Sequence, residues 1–213
     1  FQQEFGQALS QYVEFYNENK YLYNSSVSDN LIFGAPNDTA FNKKNLLAND
    51  YFTEFLTEAD LRRPLLALGA EMARQTVDIL RELPSDLLFL EQSPIAVDER
   101  SDYNLLVLRL GQLKLHQLPD KDQKSLLSLA LRFRPGRHKM VGLENSLMTL
   151  LLESRALFKD KIQQDHPQAI TFYQLSEYIH SQTILNNIFF GRMKTGSTKV
   201  QDKINQSIIQ LLI

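Results

Sequence analysis

Cysteine is absent from this chain of 213 residues. That excludes a disulfide scaffold, a thiolate metal site and a cysteine nucleophile, and it fits a reducing compartment. An excess of charge of either sign is missing too. The 23 Lys and Arg stand against 25 Asp and Glu, for a formal charge of -2. Nothing in that balance points to a protein that coats nucleic acid or an anionic membrane. No apolar run approaches the roughly 18 residues needed to cross a bilayer, so no direct membrane insertion is expected. The first ten positions carry no basic stretch followed by an apolar one, which argues against a signal peptide. None of the glycines stands before a Gly-Lys pair, so GxxxxGK followed by Ser or Thr is missing. With it go the backbone cradle and the lysine that hold a nucleotide's phosphates. Metal ligands are sparse as well: His116, His138, His166 and His180 lie 22, 28 and 14 positions apart, with no i, i+4 pair.

What is present is mostly helical periodicity, in a chain of 24.6 kDa that can bury a core without metal or disulfide. In residues 58–83, Leu65, Leu68, Met72, Val77, Leu80 and Leu83 recur at spacings of three to five, with Arg74, Gln75, Asp78 and Arg81 on the other side. Pro64 suits the first turn of that helix and Pro84 marks its end. A shorter piece is expected at 85–94 behind Ser85, and another helix from Asp98 or Ser101 through Leu105, Leu108 and Leu110. Residues 118–133 read as a helix broken by Pro135 and Gly136, and residues 143–164 as one whose crowded leucines imply burial on more than one side. After a loop at 191–199, Val200, Ile204, Ile208, Leu211 and Leu212 share one face of a last helix. Strand signals are confined to 170–175 and 87–90, without a hairpin partner. The expected fold is therefore mainly α, an irregular bundle of about eight helices with little or no sheet. Phe1 in first position and the apolar run at 207–213 further suggest a piece of a longer chain.

Other groupings offer weak chemistry. Asp98, Glu99 and Asp102 are close in sequence but fit the solvated start of a helix, and Ser25, Ser26 and Ser28 lack a nucleophile's strand-turn-helix frame. Arg132, Arg134, Arg137, His138 and Lys139 form the one concentrated basic patch. It has two readings: an electrostatic contact with a phosphate or an acidic neighbouring surface, or basic residues favoured at the end of the helix that Pro135 stops.

One pattern stands apart. Residues 15–34 read FYNENKYLYNSSVSDNLIFG and residues 172–191 read FYQLSEYIHSQTILNNIFFG, aligned without a gap at an offset of 157. Phe15, Tyr16, Tyr21, Asn30, Phe33 and Gly34 return as Phe172, Tyr173, Tyr178, Asn187, Phe190 and Gly191, while Ser26, Val27 and Leu31 return as Thr183, Ile184 and Ile188. Each phrase reads as an aromatic anchor, a loop, a capping hydroxyl, a short helical turn and a glycine at which the chain turns. Two copies of a helix-packing unit would account for that much. On this reading Asn30, Phe33, Gly34, Asn187, Phe190 and Gly191 are the structural or docking residues, with both phenylalanines buried.

VSDNLIFG and ILNNIFFG each resemble the phrase that opens the helical subdomain in the ATP-binding domains of ABC transporters. The whole chain is similar to a bacterial subgroup in which a long helical segment is inserted at this point between two such phrases. The resemblance implies an inserted body over residues 35–171 and a helix over 200–213 leading toward a signature sequence, with the second phrase in the usual position and the first serving the insertion. It also implies a noncatalytic role in coupling, docking or regulation, in a cytoplasmic protein at the inner face of the membrane. Partners would be the rest of the parent ATPase and its transmembrane subunits, with a homodimer possible and no nucleic acid. ATP and magnesium would belong to the full-length parent. No phosphate loop, LSGGQ-like signature, apolar run ending in Asp-Glu or switch histidine is present in these residues, so the segment alone is not expected to hydrolyse ATP. A free-standing helical interaction module is the alternative.

Overall fold

A computed structural model describes residues 6–7, 9–82, 92–174, 176–180, 182–194, 202, 206 and 209, with backbone alone at 185 and 189. In chain order the elements are β1 (Val13–Phe15), α1 (Val27–Ile32), β2 (Gly34–Pro36), α2 (Asp50–Glu58), α3 (Arg62–Glu82), α4 (Arg100–Leu110), α5 (Asp120–Arg132), α6 (Asn145–Asp165), β3 (Ile170–Phe172), α7 (Ile184–Phe189) and β4 (Gly191–Met193). Single 3-10 turns lie at Thr39–Phe41, Leu46–Ala48, Val97–Glu99 and Leu115–Gln117. The fold is mainly helical, as the periodicity predicts. The expected short helix at 85–94 and the helix over 200–213 lie largely outside the described residues.

The helices follow their apolar stripes. α3 buries Leu65, Leu68, Met72 and Val77, and Pro64 falls in its first turn, where a missing N–H removes no helical bond. α3 is the helix expected within 58–83, and a separate helix, α2, precedes it. α2 seals Phe52, Phe55 and Leu56 in the core, and the chain then turns through Asp60 at φ 53° before α3 starts. α5 opens with Asp120 and Asp122, whose charges suit a helix N-terminus, and buries Leu126, Leu127, Leu129 and Ala130. α4 corrects the expected apolar side: Tyr103, Leu106 and Leu110 are buried, while Leu105 and Leu108 are exposed.

α6 is the central strut. Leu147, Leu151, Phe158 and Ile162 recur on one side of it, and Leu150 and Leu152 are half-buried beside them. The Phe158 ring lies 4.9 Å, 5.9 Å and 6.5 Å, centre to centre, from Phe55, Phe52 and Phe41. A buried side chain of that size contributes about 1.5–3 kcal/mol through removal from water, which makes the aromatic cluster a main source of stability.

Among the described residues, sheet is confined to two antiparallel ladders, β1 with β4 and β2 with β3. Of the four strands, only Ile170–Phe172 falls within a stretch with a strand signal in the sequence. The others are three residues long, too short for alternation to register. Their pairing joins the two ends of the described chain and sets up the site.

Candidate functional site

Within the first phrase, Ser26 ends the loop and caps α1. Its hydroxyl accepts the Asp29 N–H at 3.1 Å, and the Asp29 carboxylate accepts the Ser26 N–H at 3.2 Å. In the second phrase Thr183 caps α7 by accepting the Asn186 N–H at 3.1 Å. Asn30 ties α1 back to the loop: its side-chain oxygen accepts the Leu22 N–H at 2.8 Å, and its amide donates to the carbonyls of Leu22 and Ser26. Asn187 repeats all three bonds with Ile179 and Thr183. Such an amide can meet a loop N–H and carbonyl together, which explains why one residue type serves both places.

Both short helices end on a phenylalanine in the left-handed region, Phe33 at φ 45° and Phe190 at φ 42°. This corrects the expectation that glycine makes the turn. The adjacent glycines are needed for a different reason. A Cβ on Gly34 would lie 2.8 Å from the Thr171 carbonyl oxygen, and one on Gly191 would lie 2.8 Å from that of Glu14. Glycine here is the condition for close strand approach.

The two phrases also embrace each other. Val13, Glu14 and Phe15 pair with Met193, Arg192 and Gly191, while Gly34, Ala35 and Pro36 pair with Phe172, Thr171 and Ile170. Moving every residue by 157 positions converts one ladder into the other, register included. The Tyr16 N–H donates to the Phe190 carbonyl at 2.9 Å, and the Tyr173 N–H to that of Phe33 at 3.0 Å. On the local twofold axis Tyr16 and Tyr173 stack at 4.5 Å with planes 9° apart. Phe190 and Phe33 each meet one of these tyrosines edge-on at 5.5 Å. Each phrase thus closes the other, the isologous geometry of a symmetric dimer interface made within one chain.

The surroundings break the symmetry. Arg155 of α6 is buried and aimed at the first phrase. Its guanidinium donates to the carbonyls of Asn30 at 2.6 Å, Glu18 at 2.6 Å and Lys20 at 3.2 Å, and to the Asn30 side-chain oxygen at 2.9 Å. It also lies 4.4 Å from the Phe33 ring centre. Burial lowers its pKa to about 10, which leaves the charge intact at neutral pH. Asp29 is the second asymmetric feature, bound by Lys43 at 2.6 Å and by Arg192 of the other phrase at 2.8 Å. Burial alone would raise this carboxyl, but the two cations and the Ser26 hydroxyl prevail and hold it at about 2. The counterparts of Asp29 and Arg192 at the 157 offset are Asn186 and Ala35, so the ion pair has no twin.

The basic patch is not one surface. Arg132 pairs with Glu99 at 3.0 Å and donates to the Tyr103 hydroxyl at 3.2 Å. His138 is buried, and its Nδ1 accepts the Arg134 N–H at 3.1 Å. Burial, then the cations of Arg137, Arg134 and Arg132, push its pKa down to about 4, so it stays neutral and able to accept. Arg134 is half-buried, Arg137 and Lys139 are exposed, and Arg134 and Arg137 line a cleft of about 1050 Å³ shared with Lys43, Lys124 and Ser128. Of the acidic cluster, Glu99 caps the Ala96 N–H and Asp102 pairs with Lys121 at 3.4 Å. Among the described residues no group of three His, Asp or Glu side chains is placed to hold a metal ion, and no helix is long and apolar enough to cross a membrane.

Of the six residues singled out in the phrases, Phe33, Gly34, Phe190 and Gly191 meet at this junction, while Asn30 and Asn187 each brace the loop of their own phrase. Arg155 was missed, although it left a signal: it occupies a core position between Leu151 and Phe158 on an otherwise apolar stripe. Asp29 and Arg192 left none, because 163 residues separate them. No protein family, curated protein or solved structure matches the chain.

Proposed function

We propose that the chain is the noncatalytic helical insert of an ABC transporter ATPase, acting at the inner face of the membrane to dock, couple or regulate its parent. The observation that carries this reading is the closure of the body. The Asn37 N–H donates to the Ala169 carbonyl at 2.8 Å, so the chain enters and leaves residues 37–169 at adjacent points. The Lys194 N–H likewise donates to the Tyr12 carbonyl at 2.8 Å. A segment with neighbouring ends can be carried in a host loop without distorting the host. Burial favours the second phrase as the host's own element, since the first is sealed against the body and the second is largely open. The exposed Leu105 and Leu108 of α4 support docking, and they support equally the second reading, a free-standing helical interaction module.

The reading frame on either side separates the two. The insert reading requires a phosphate loop upstream, and an LSGGQ-like signature with an Asp-Glu magnesium site downstream. Their absence sinks it. The purified segment is expected to show neither ATP turnover nor magnesium-dependent nucleotide binding. Calorimetric ATP binding at about micromolar affinity or tighter would overturn the noncatalytic assignment.

A further inference from the structure

The internal twofold assigns a ligand to one surface. On the first phrase, Tyr21, Ser26, Val27, Asn30 and Leu31 are all buried. α6 packs against α1 here, with its arginine seated on Asn30 and the loop carbonyls. On the second phrase the matching positions form the same surface uncovered. Val27 is 0% exposed and Ile184 is 68%, and Tyr21 is 8% and Tyr178 52%. Asn187 and Ile188 are only partly buried.

The backbone beneath is the same. The Lys20 N–H donates to the Asn17 carbonyl at 3.2 Å, and the Glu177 N–H to that of Gln174 at 3.2 Å. Arg155 also donates to the Asn17 carbonyl at 3.4 Å, and three of the carbonyls it reads, those of Asn17, Lys20 and Asn30, have counterparts at Gln174, Glu177 and Asn187, together with the Asn187 side-chain oxygen. Among the described residues, no arginine or lysine side chain donates to these four oxygens. They form a concentrated acceptor surface beside Ile184 and Ile188, and its charge complement is a single cation flanked by aliphatic groups.

We infer that this face of α7 binds a partner protein through an amphipathic helix of α6 chemistry, one arginine set among leucines, isoleucines or phenylalanines. The arginine seats on the carbonyls of Gln174, Glu177 and Asn187, and the aliphatic groups cover Tyr178, Ile184 and Ile188. A second copy of the chain is not the occupant, because its own α6 is committed to its own first phrase. The inference rests on the internal repeat and not on the ABC reading, so either stands if the other fails.

The probe is a synthetic peptide of residues 145–165, titrated into the isotope-labelled chain and followed by NMR. Shifts are expected at Tyr178, Ile184, Asn187 and Ile188. A peptide carrying Arg155→Met is expected to bind about 10–100-fold more weakly, the effect of losing a charged hydrogen-bond donor. In the chain, Ile184→Asp at an exposed position should abolish the shifts without loss of fold, while Val97→Asp, exposed elsewhere, should leave them unchanged. The inference is overturned by no shifts at about 1 mM peptide, by equal binding of the Met peptide, or by shifts mapping to another surface. It also fails if lipid vesicles shield Ile184 while the peptide does not, or if sedimentation shows self-association that Ile184→Asp removes.

Discussion

Val27 is sealed from water and Ile184 stands 68% exposed, yet they occupy the same place in two copies of one unit. Cap, asparagine bracket, left-handed phenylalanine and strand register agree between the copies. What differs is what each copy is pressed against. The first has α6 and its arginine, and the Val27 N–H also donates to the Phe133 carbonyl at 3.0 Å at the end of α5. The second has the first phrase on one side and an open face on the other. A short sequence is therefore enough to specify a loop and a helical turn through its own hydrogen bonds, while burial is decided by residues more than a hundred positions away.

The largest expected effect falls on the element that makes the copies unequal. Arg155→Met should cost about 3–5 kcal/mol in denaturant unfolding, because it strips the donor from the buried backbone and side-chain oxygens of Asn30 and removes the ties to the loop carbonyls. A cost below 1 kcal/mol would mean the first phrase holds its place without the arginine.

Next come the paired asparagines. Asn30→Ala should lose roughly 2–4 kcal/mol, since it leaves a loop N–H and the guanidinium short of an acceptor in a dry site, and Asn187→Ala about 1 kcal/mol where solvent can substitute. Equal losses would erase the distinction drawn between the two environments.

The third is a titration. Asp29 binds its proton less readily when folded, at about 2 against 3.8, so its stabilisation is complete above pH 3.8 and is lost as the pH falls toward 2. About 2 kcal/mol should disappear across that window. Asp29→Asn, which gives the first phrase the residue the second has at 186, should flatten this part of the stability curve. An unchanged acid limb in that variant would show that other carboxylates govern it.

The smallest contrast is apolar. Val27→Ala should cost about 1–2 kcal/mol and Ile184→Ala less than about 0.5 kcal/mol. Should Ile184→Ala prove the more costly, the face of α7 is already covered in solution.

Much of this was legible in the sequence, and the reason lies in the range of the interactions. The stripes of α3, α5 and α6 and the repeated phrase are local patterns, and they predicted the class of fold and singled out the phenylalanines and glycines around which the phrases pair. The glycine assignment failed because the need for Gly34 and Gly191 comes from opposing strands that the linear order keeps far apart. Leu105 and Leu108 misled because an 11-residue helix with leucine on several sides has no single preferred face until Tyr103 finds the Ser125 carbonyl at 2.9 Å.

The paired ladders also set an order of opening under tension. Tyr12 and Lys194 are neighbours, so a pull on them peels β1 from β4 at Val13 and Met193 and breaks the bonds one after another instead of shearing them together. Behind that seam and the tyrosine stack lies α1, which Arg155 and the Phe133 carbonyl fasten to the helical body, and only then come β2 and β3. The outer ladder unzips bond by bond, and the load then falls on α1 and its anchors on α5 and α6.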